Sequence, residues 1–236
     1  RQRNVKRDAS NVDQIADETR INVKDKESQE TELNAAGPKN TSQKIAAIKV
    51  HLRDLRKGDV VVMSGSLPPS LQTDFYQQLL PVIQERGAQF VVDTTGQALL
   101  DTLAYHPLVI KPNQYELAAL FNTSYTDETH LIDQARELLS RGARNVMISL
   151  AEKGGYLVTK KHVYHAKAAI GTAVNSVGAG DSMIAGFVGT YVKTQDEVES
   201  FRYGMACGAA TAFAQDIAVK SQIDVVLPQI KVEKLS

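Results

Sequence analysis

Short apolar runs alternate with stretches of helical period along most of this chain, and that alternation constrains its fold most strongly. Asp59-Val60-Val61-Val62-Met63 is a nearly continuous apolar run. Such runs are buried on both faces, as in a parallel sheet. Comparable runs follow at 89–93, 108–110 and 145–149. Between and before them, apolar residues recur at spacings of three and four, beginning with Ile45, Ile48, Leu52 and Leu55. That spacing marks one face of an amphipathic helix. Thr41 or Ser42 is placed to cap this first helix, and Gly58 to stop it. Further helices are expected at about 72–85, 97–105, 115–121, 128–139, 180–193 and 196–215, the last two closing the chain. Two shorter strands, 156–159 and 162–165, read as a hairpin around Lys160-Lys161. Strands alternating with helices predict an α/β fold with a parallel sheet covered on both faces and right-handed crossovers. Ligands in such sheets bind at the carboxyl ends of the strands.

Composition narrows the classes of function. Hydrophobic residues make up 43% of the 236, enough for a sizeable core. Lys plus Arg and Asp plus Glu number 27 each, a formal net charge of zero. A basic nucleic-acid surface and a polybasic membrane contact are therefore not expected. No run of about 18 apolar residues occurs. The opening residues 1–8 are charged and lack the apolar stretch of a signal peptide. Cys207 is alone, so no internal disulfide can form and a reducing, cytoplasmic setting fits. It lies among small helical residues, where a buried, inert thiol is expected. His162 and His165 lie close together but have no third partner at metal-ligand spacing.

The strand ends carry the chemistry. The first core strand leads into Ser64-Gly65-Ser66-Leu67-Pro68, readable as a Pro-stiffened turn. The next leads into Asp93-Thr94-Thr95-Gly96, and the third into Lys111-Pro112-Asn113-Gln114-Tyr115-Glu116. Pro112 keeps Lys111 out of the helical region, which aims the lysine outward. Asn113 and Glu116 have capping-box spacing; a metal-organising role is the alternative. The fourth strand leads into Ser149-Leu150-Ala151-Glu152-Lys153-Gly154-Gly155. The two glycines allow a ligand close to the backbone, although a plain turn explains them as well. Val177-Gly178-Ala179-Gly180-Asp181-Ser182 then feeds a glycine-rich turn straight into an apolar helix. Unpaired N–H groups and the positive helix end coincide there, a site for an anion. Asp181 in the first turn either complements the dipole or takes a proton beside the anion. The segment is neither a P-loop nor a dinucleotide fingerprint.

Asn175-Ser176-Val177-Gly178-Ala179-Gly180-Asp181-Ser182, followed by Ala185-Gly186-Phe187, resembles the C-terminal signature of the ribokinase-like (phosphofructokinase B) sugar kinases. The other four strand-end segments occur in that family's order. Within it the chain most resembles the 1-phosphofructokinases, through the Asn-Ser lead-in, residues 18–24 and the ending 227–233. Tagatose-6-phosphate kinases are close neighbours. The resemblance implies a three-layer α/β fold with a mostly parallel central sheet and a small β lid. It divides the chain into an N-terminal segment with part of the lid, 1–40, and a nucleotide-binding kinase core, 41–236. A strand at 19–24 and a returning strand at 31–34 would form the lid hairpin.

The implied chemistry is ATP-dependent phosphorylation of fructose 1-phosphate with Mg2+. Asp181 would be the general base, and the backbone N–H groups of Gly178, Ala179 and Gly180 the anion hole. Lys111 would approach the donor phosphates, and Asn113 and Glu116 would organise magnesium largely through water. Ser149, Ala151 and Gly154 would line the nucleotide cleft. Arg20, Asn22 and Ser66 would hold the substrate's existing phosphate, a task that suits the planar fork of arginine. Hairpin lids in the family pair between subunits, which suggests a homodimer. The family also begins with a strand and a Gly-Gly-Lys-Gly-type segment that these 236 residues lack. The resemblance therefore implies that further polypeptide completes the sugar pocket and half of the lid. Three alternatives are a tagatose-6-phosphate kinase, an inactive nucleotide-binding fragment, and a nucleotide-binding oxidoreductase. The motif's late position and the missing fingerprint disfavour the last.

Overall fold

The computed structural model describes residues 22–25, 31–34, 42–65, 71, 74–124 and 127–236. Strands β1 (Asn22–Asp25) and β2 (Thr31–Asn34) form an antiparallel hairpin, with Val23 opposite Leu33. Helix α1 (Ser42–Leu52) follows, and its Ile45, Ile48 and Leu52 pack on one core cluster. Leu55 lies beyond the helix but joins the same cluster. Thr41, an expected cap, is outside the described residues.

The central sheet is built from β3 (Val60–Ser64), β4 (Gln89–Asp93), β5 (Asn145–Ser149), β6 (Gly155–Thr159), β7 (Val163–Ala166) and β8 (Val232–Lys234). β3 and β4 run parallel, while β5 to β8 form an antiparallel series. The expected strand at 108–110 ties the two halves together, by one backbone bond to β4 and by several along β5. Leu108 N–H donates to Phe90 O at 2.8 Å, Ile110 N–H to Asn145 O at 3.1 Å, and Met147 N–H to Ile110 O at 2.9 Å. Pro107 and Pro112 flank the segment and offer no N–H, but their carbonyls accept from Arg144 N–H at 3.0 Å and Ser149 N–H at 3.2 Å.

Helices α2 (Phe75–Glu85), α3 (Gly96–Leu100), α4 (Gln114–Leu120), α5 (Glu128–Ser140), α6 (Ala179–Thr194), α7 (Glu197–Ala212) and α8 (Lys220–Val226) cover the sheet. Strand side chains alternate between faces as the pleat requires. Val91, Met147 and Leu157 share a core with Phe187 and Phe201 of α6 and α7. Phe90 and Val92 face the opposite way onto α1 and α2, and Val146, Ile148 and Val158 onto α4 and α5. The result is three layers: helices, sheet, helices.

Four expectations need correction. β3 is not buried on both faces, because Val62 is 44% exposed. Among the described residues β3 has one strand neighbour, β4. The helix expected at 97–105 divides into α3 and a 3-10 turn at Leu103–Tyr105. The helix expected at 196–215 ends at Ala212. The chain also closes with α8, a 3-10 turn at Leu227–Gln229 and β8, none of which local periodicity disclosed. His162 stands in the turn before β7, and His165 stacks on Tyr156 with ring centroids 4.8 Å apart.

α6 and α7 lie unusually close because glycines line their seam. A Cβ on Gly204 would fall 2.7 Å from Met183 O, and one on Gly186 would fall 2.7 Å from Cys207 Sγ. The Cys207 thiol is buried in this seam, and burial pushes its pKa up to about 11. Since the thiolate is the nucleophile, native protein at pH 8 should leave Cys207 unmodified by a thiol-specific disulfide reagent, with stoichiometric release only after denaturant. Rapid native reaction would contradict this packing. Among the described residues no helix is long and apolar enough to cross a membrane.

Candidate active site

The carboxyl ends of β3, β4, the 108–113 segment and β5 all point to one region. Ser64 ends β3 and lies in register with Asp93 at the end of β4. Ile110 and Asn113 pair with Val146 and Ser149 of β5. This register carries Lys111 and Asn113 to the same edge as Ser64, Asp93 and Ser149. Nearby, Gly178 opens α6 with φ +77°, a left-handed conformation that glycine adopts without strain.

Asp181 lies in the first turn of α6. Its Oδ1 accepts a hydrogen bond from Ser64 Oγ at 2.9 Å. One residue earlier, the Gly180 backbone passes under Lys111, since a Cβ there would stand 2.9 Å from Lys111 Nζ. Lys111 Nζ is 3.8 Å from Asp93 Oδ1, with the two side chains only 9% and 23% exposed. Burial raises the Asp93 pKa most; Lys111 opposes that shift, and the Asp181 and Glu116 carboxylates add to it. Asp93 thus feels one ammonium group and two further carboxylates.

The turn before α6 is tied down by side chains. Asn175 Oδ1 accepts from Val177 N–H at 3.1 Å, and Asn175 Nδ2 donates to Gln215 O at 3.0 Å. Ala179 N–H donates to Ser176 O at 3.2 Å. Among the described residues, the N–H groups of Gly178 and Gly180 take no partner. Of the three backbone donors expected to hold an anion, Ala179 is thus engaged inside the turn.

Asn113 does cap α4. Its Oδ1 accepts from Tyr115 N–H and Glu116 N–H, both at 2.9 Å, while Glu116 Oε2 accepts from Asn113 N–H at 2.8 Å. The capping box is complete, and Asn113 also borders the site. Glu116 is turned back on its own helix and does not line the cleft.

That cleft has a volume of about 620 Å³ and brings together Lys111, Asn113, Ser149, Ala151, Gly154 and Gly180. Its far wall is apolar, formed by Met205, Ala209 and Phe213 among others. A polar floor facing an apolar wall suits a flat, partly hydrophobic ligand with a charged tail. Asp181 does not line the cleft itself but follows Gly180, which does. Arg20 and Ser66 lie outside the described residues, as does the side chain of Asn22, although its backbone is in β1.

Ser64 and Asp93 belong to the site without having been singled out individually in the sequence. Their signal was positional: each is the last residue of a core strand, where ligands of parallel sheets bind. For magnesium, the donors present are hard oxygens, which fit. Among the described residues no three His, Cys, Asp or Glu side chains converge closely enough to enclose an ion.

A three-layer α/β fold with a glycine turn, a helix N-terminus and a carboxylate at the strand ends defines a phosphoryl-transfer class of site. Residues 1–220 match the pfkB family carbohydrate kinases, and the chain belongs to that family. It is 37% identical over 222 residues to the 1-phosphofructokinase of Bacillus subtilis, covering 94% of this chain and 73% of that protein. It is 33% identical over 218 residues to the D-tagatose-1-phosphate kinase of Bacillus licheniformis, covering 92% and 72%. A crystal structure from Staphylococcus aureus superposes with a TM-score of 0.81 at 36% identity, over 92% of this chain and 71% of its own. The chain is a sugar-phosphate kinase of this family.

Proposed function

We propose that the full-length protein transfers a phosphoryl group from ATP to the 6-hydroxyl of fructose 1-phosphate, giving fructose 1,6-bisphosphate. The observation that carries this reading is the Asp181 carboxylate, fixed at the start of α6 beside a cleft that Lys111 enters. The similarity to a relative named 1-phosphofructokinase supports the choice of sugar.

Asp181 accepts the proton of the attacking hydroxyl. The N–H groups at the helix start, with Gly178 and Gly180 foremost, stabilise charge on the transferring group. Lys111 lies against the donor phosphates, held there by Asp93. Ser149, Ala151 and Gly154 border the nucleotide, and the apolar wall of Met205 and Phe213 receives its base. Magnesium, placed near Asn113 and Glu116 through water, would neutralise phosphate charge. Arg20, Asn22 and Ser66 hold the phosphate already on the sugar, with residues 1–40 forming the N-terminal segment and partial lid and 41–236 the nucleotide-binding kinase core. A cytoplasmic homodimer is part of the same reading, by analogy with the family's hairpin lids.

A tagatose phosphate is the second reading, favoured by the similarity to a relative named D-tagatose-1-phosphate kinase. A coupled ADP-release assay of the full-length protein separates them. The expected result is the highest kcat/KM with fructose 1-phosphate, ahead of tagatose 6-phosphate, tagatose 1-phosphate and fructose 6-phosphate. A clear preference for any of the other three overturns the substrate assignment. ATP binding without turnover on all four would instead mark a nucleotide-binding remnant.

A further inference from the structure

We infer that Ser64 is a positioning residue for Asp181, orienting one carboxylate oxygen as hydrogen-bond acceptor and leaving the other to take the proton. This rests on the base assignment proposed above. The geometry behind it is a single side-chain hydrogen bond between elements 117 residues apart, Ser64 Oγ to Asp181 Oδ1 at 2.9 Å.

The two partners differ in how firmly they are held. Ser64 is anchored by the sheet. It is paired in register with Asp93, and Gly65 N–H, one residue on, donates to Asp93 O at 3.1 Å. Gly65 O accepts from the hydroxyl of the buried Tyr76 on α2 at 2.7 Å. The backbone around Ser64 is therefore fixed on two sides before any ligand arrives. Asp181 is exposed, on the first turn of α6. An exposed aspartate samples several side-chain rotations, and only some present an oxygen to an incoming hydroxyl. Among the described residues, Ser64 is the side chain that donates to it.

Ser64→Ala tests this directly. The expected kcat falls about tenfold, with the KM values for ATP and sugar phosphate changed less than about twofold, since misorientation of a reacting group costs rate rather than binding. Ser64→Thr, which keeps the hydroxyl, should recover kcat to within about twofold. An unchanged kcat in Ser64→Ala, a loss confined to KM, or a threonine variant as slow as the alanine one each overturns the inference. Asp181→Asn separates this failure from that of the base assignment. If Asp181→Asn is slow and Ser64→Ala is not, only the positioning role falls. If Asp181→Asn turns over normally, both fall.

Discussion

Replacing Asp181 by asparagine should leave a folded protein that binds both substrates and turns them over at least about a hundredfold more slowly, the lower range for removing general-base help. The substitution keeps the side chain's shape, and the amide oxygen can still accept from Ser64 Oγ. What it removes is the capacity to take a proton. Asp181 is exposed at the helix start, so the fold should tolerate the change. The expected signature is a fall in kcat with little change in KM, read by coupled ADP release on the full-length protein. Near-normal turnover would reduce Asp181 to an ordinary complement of the helix dipole.

Gly154→Ala should produce the second large effect, on stability. Gly154 has φ +91°, and a Cβ there would lie 2.0 Å from Ala166 O and 2.8 Å from Ala168 N. Both contacts are backbone, at the end of β7, so no side chain can move aside. The cost should be at least about 3 kcal/mol, from overpacking combined with a strained φ. A melting temperature lowered by roughly 10 °C would follow for a domain of this size. Gly58→Ala is the control. Its φ is +93°, but nothing lies within 4 Å of the added carbon. It should cost only about 1 kcal/mol, the backbone share alone. Equal losses in the two variants would show that the β7 contact plays no part.

Most of the fold was readable from the chain because its signals are local. The strands at 89–93 and 145–149 were placed to the residue, and α5 and α6 to within one residue at each end. Periodicity and capping are properties of neighbours in sequence, and these elements obey both. The misses have a non-local cause. β8 is three residues long and exists by pairing with β7, some seventy positions away, so nothing in Val232-Glu233-Lys234 announces it. Val62 looked fully buried because its run is apolar, but burial depends on what lies next to the strand.

The site divides in the same manner. Gly178, Gly180 and Asp181 formed a motif and were visible together. Lys111 and Asn113 were visible through Pro112 and the capping pattern. The joint placement of these residues with Ser149 and Gly154 around one cleft is a product of the register between 108–113 and β5. Ser64 and Asp93 gave no pattern of their own. Their relation to Asp181 and Lys111 exists only across the sheet. Asn113 caps α4 and borders the cleft at once, so capping does not exclude a place at the site.

The proline-bounded segment at 108–113 has a consequence for folding. It is tied to β4 through Leu108 and to β5 through Ile110 and Asn113, and it carries Lys111 between those ties. A half-folded chain with only β3 and β4 paired, or only the antiparallel series formed, cannot hold this lysine at its post. Appearance of nucleotide affinity in a refolding experiment would therefore report that both ties have been made.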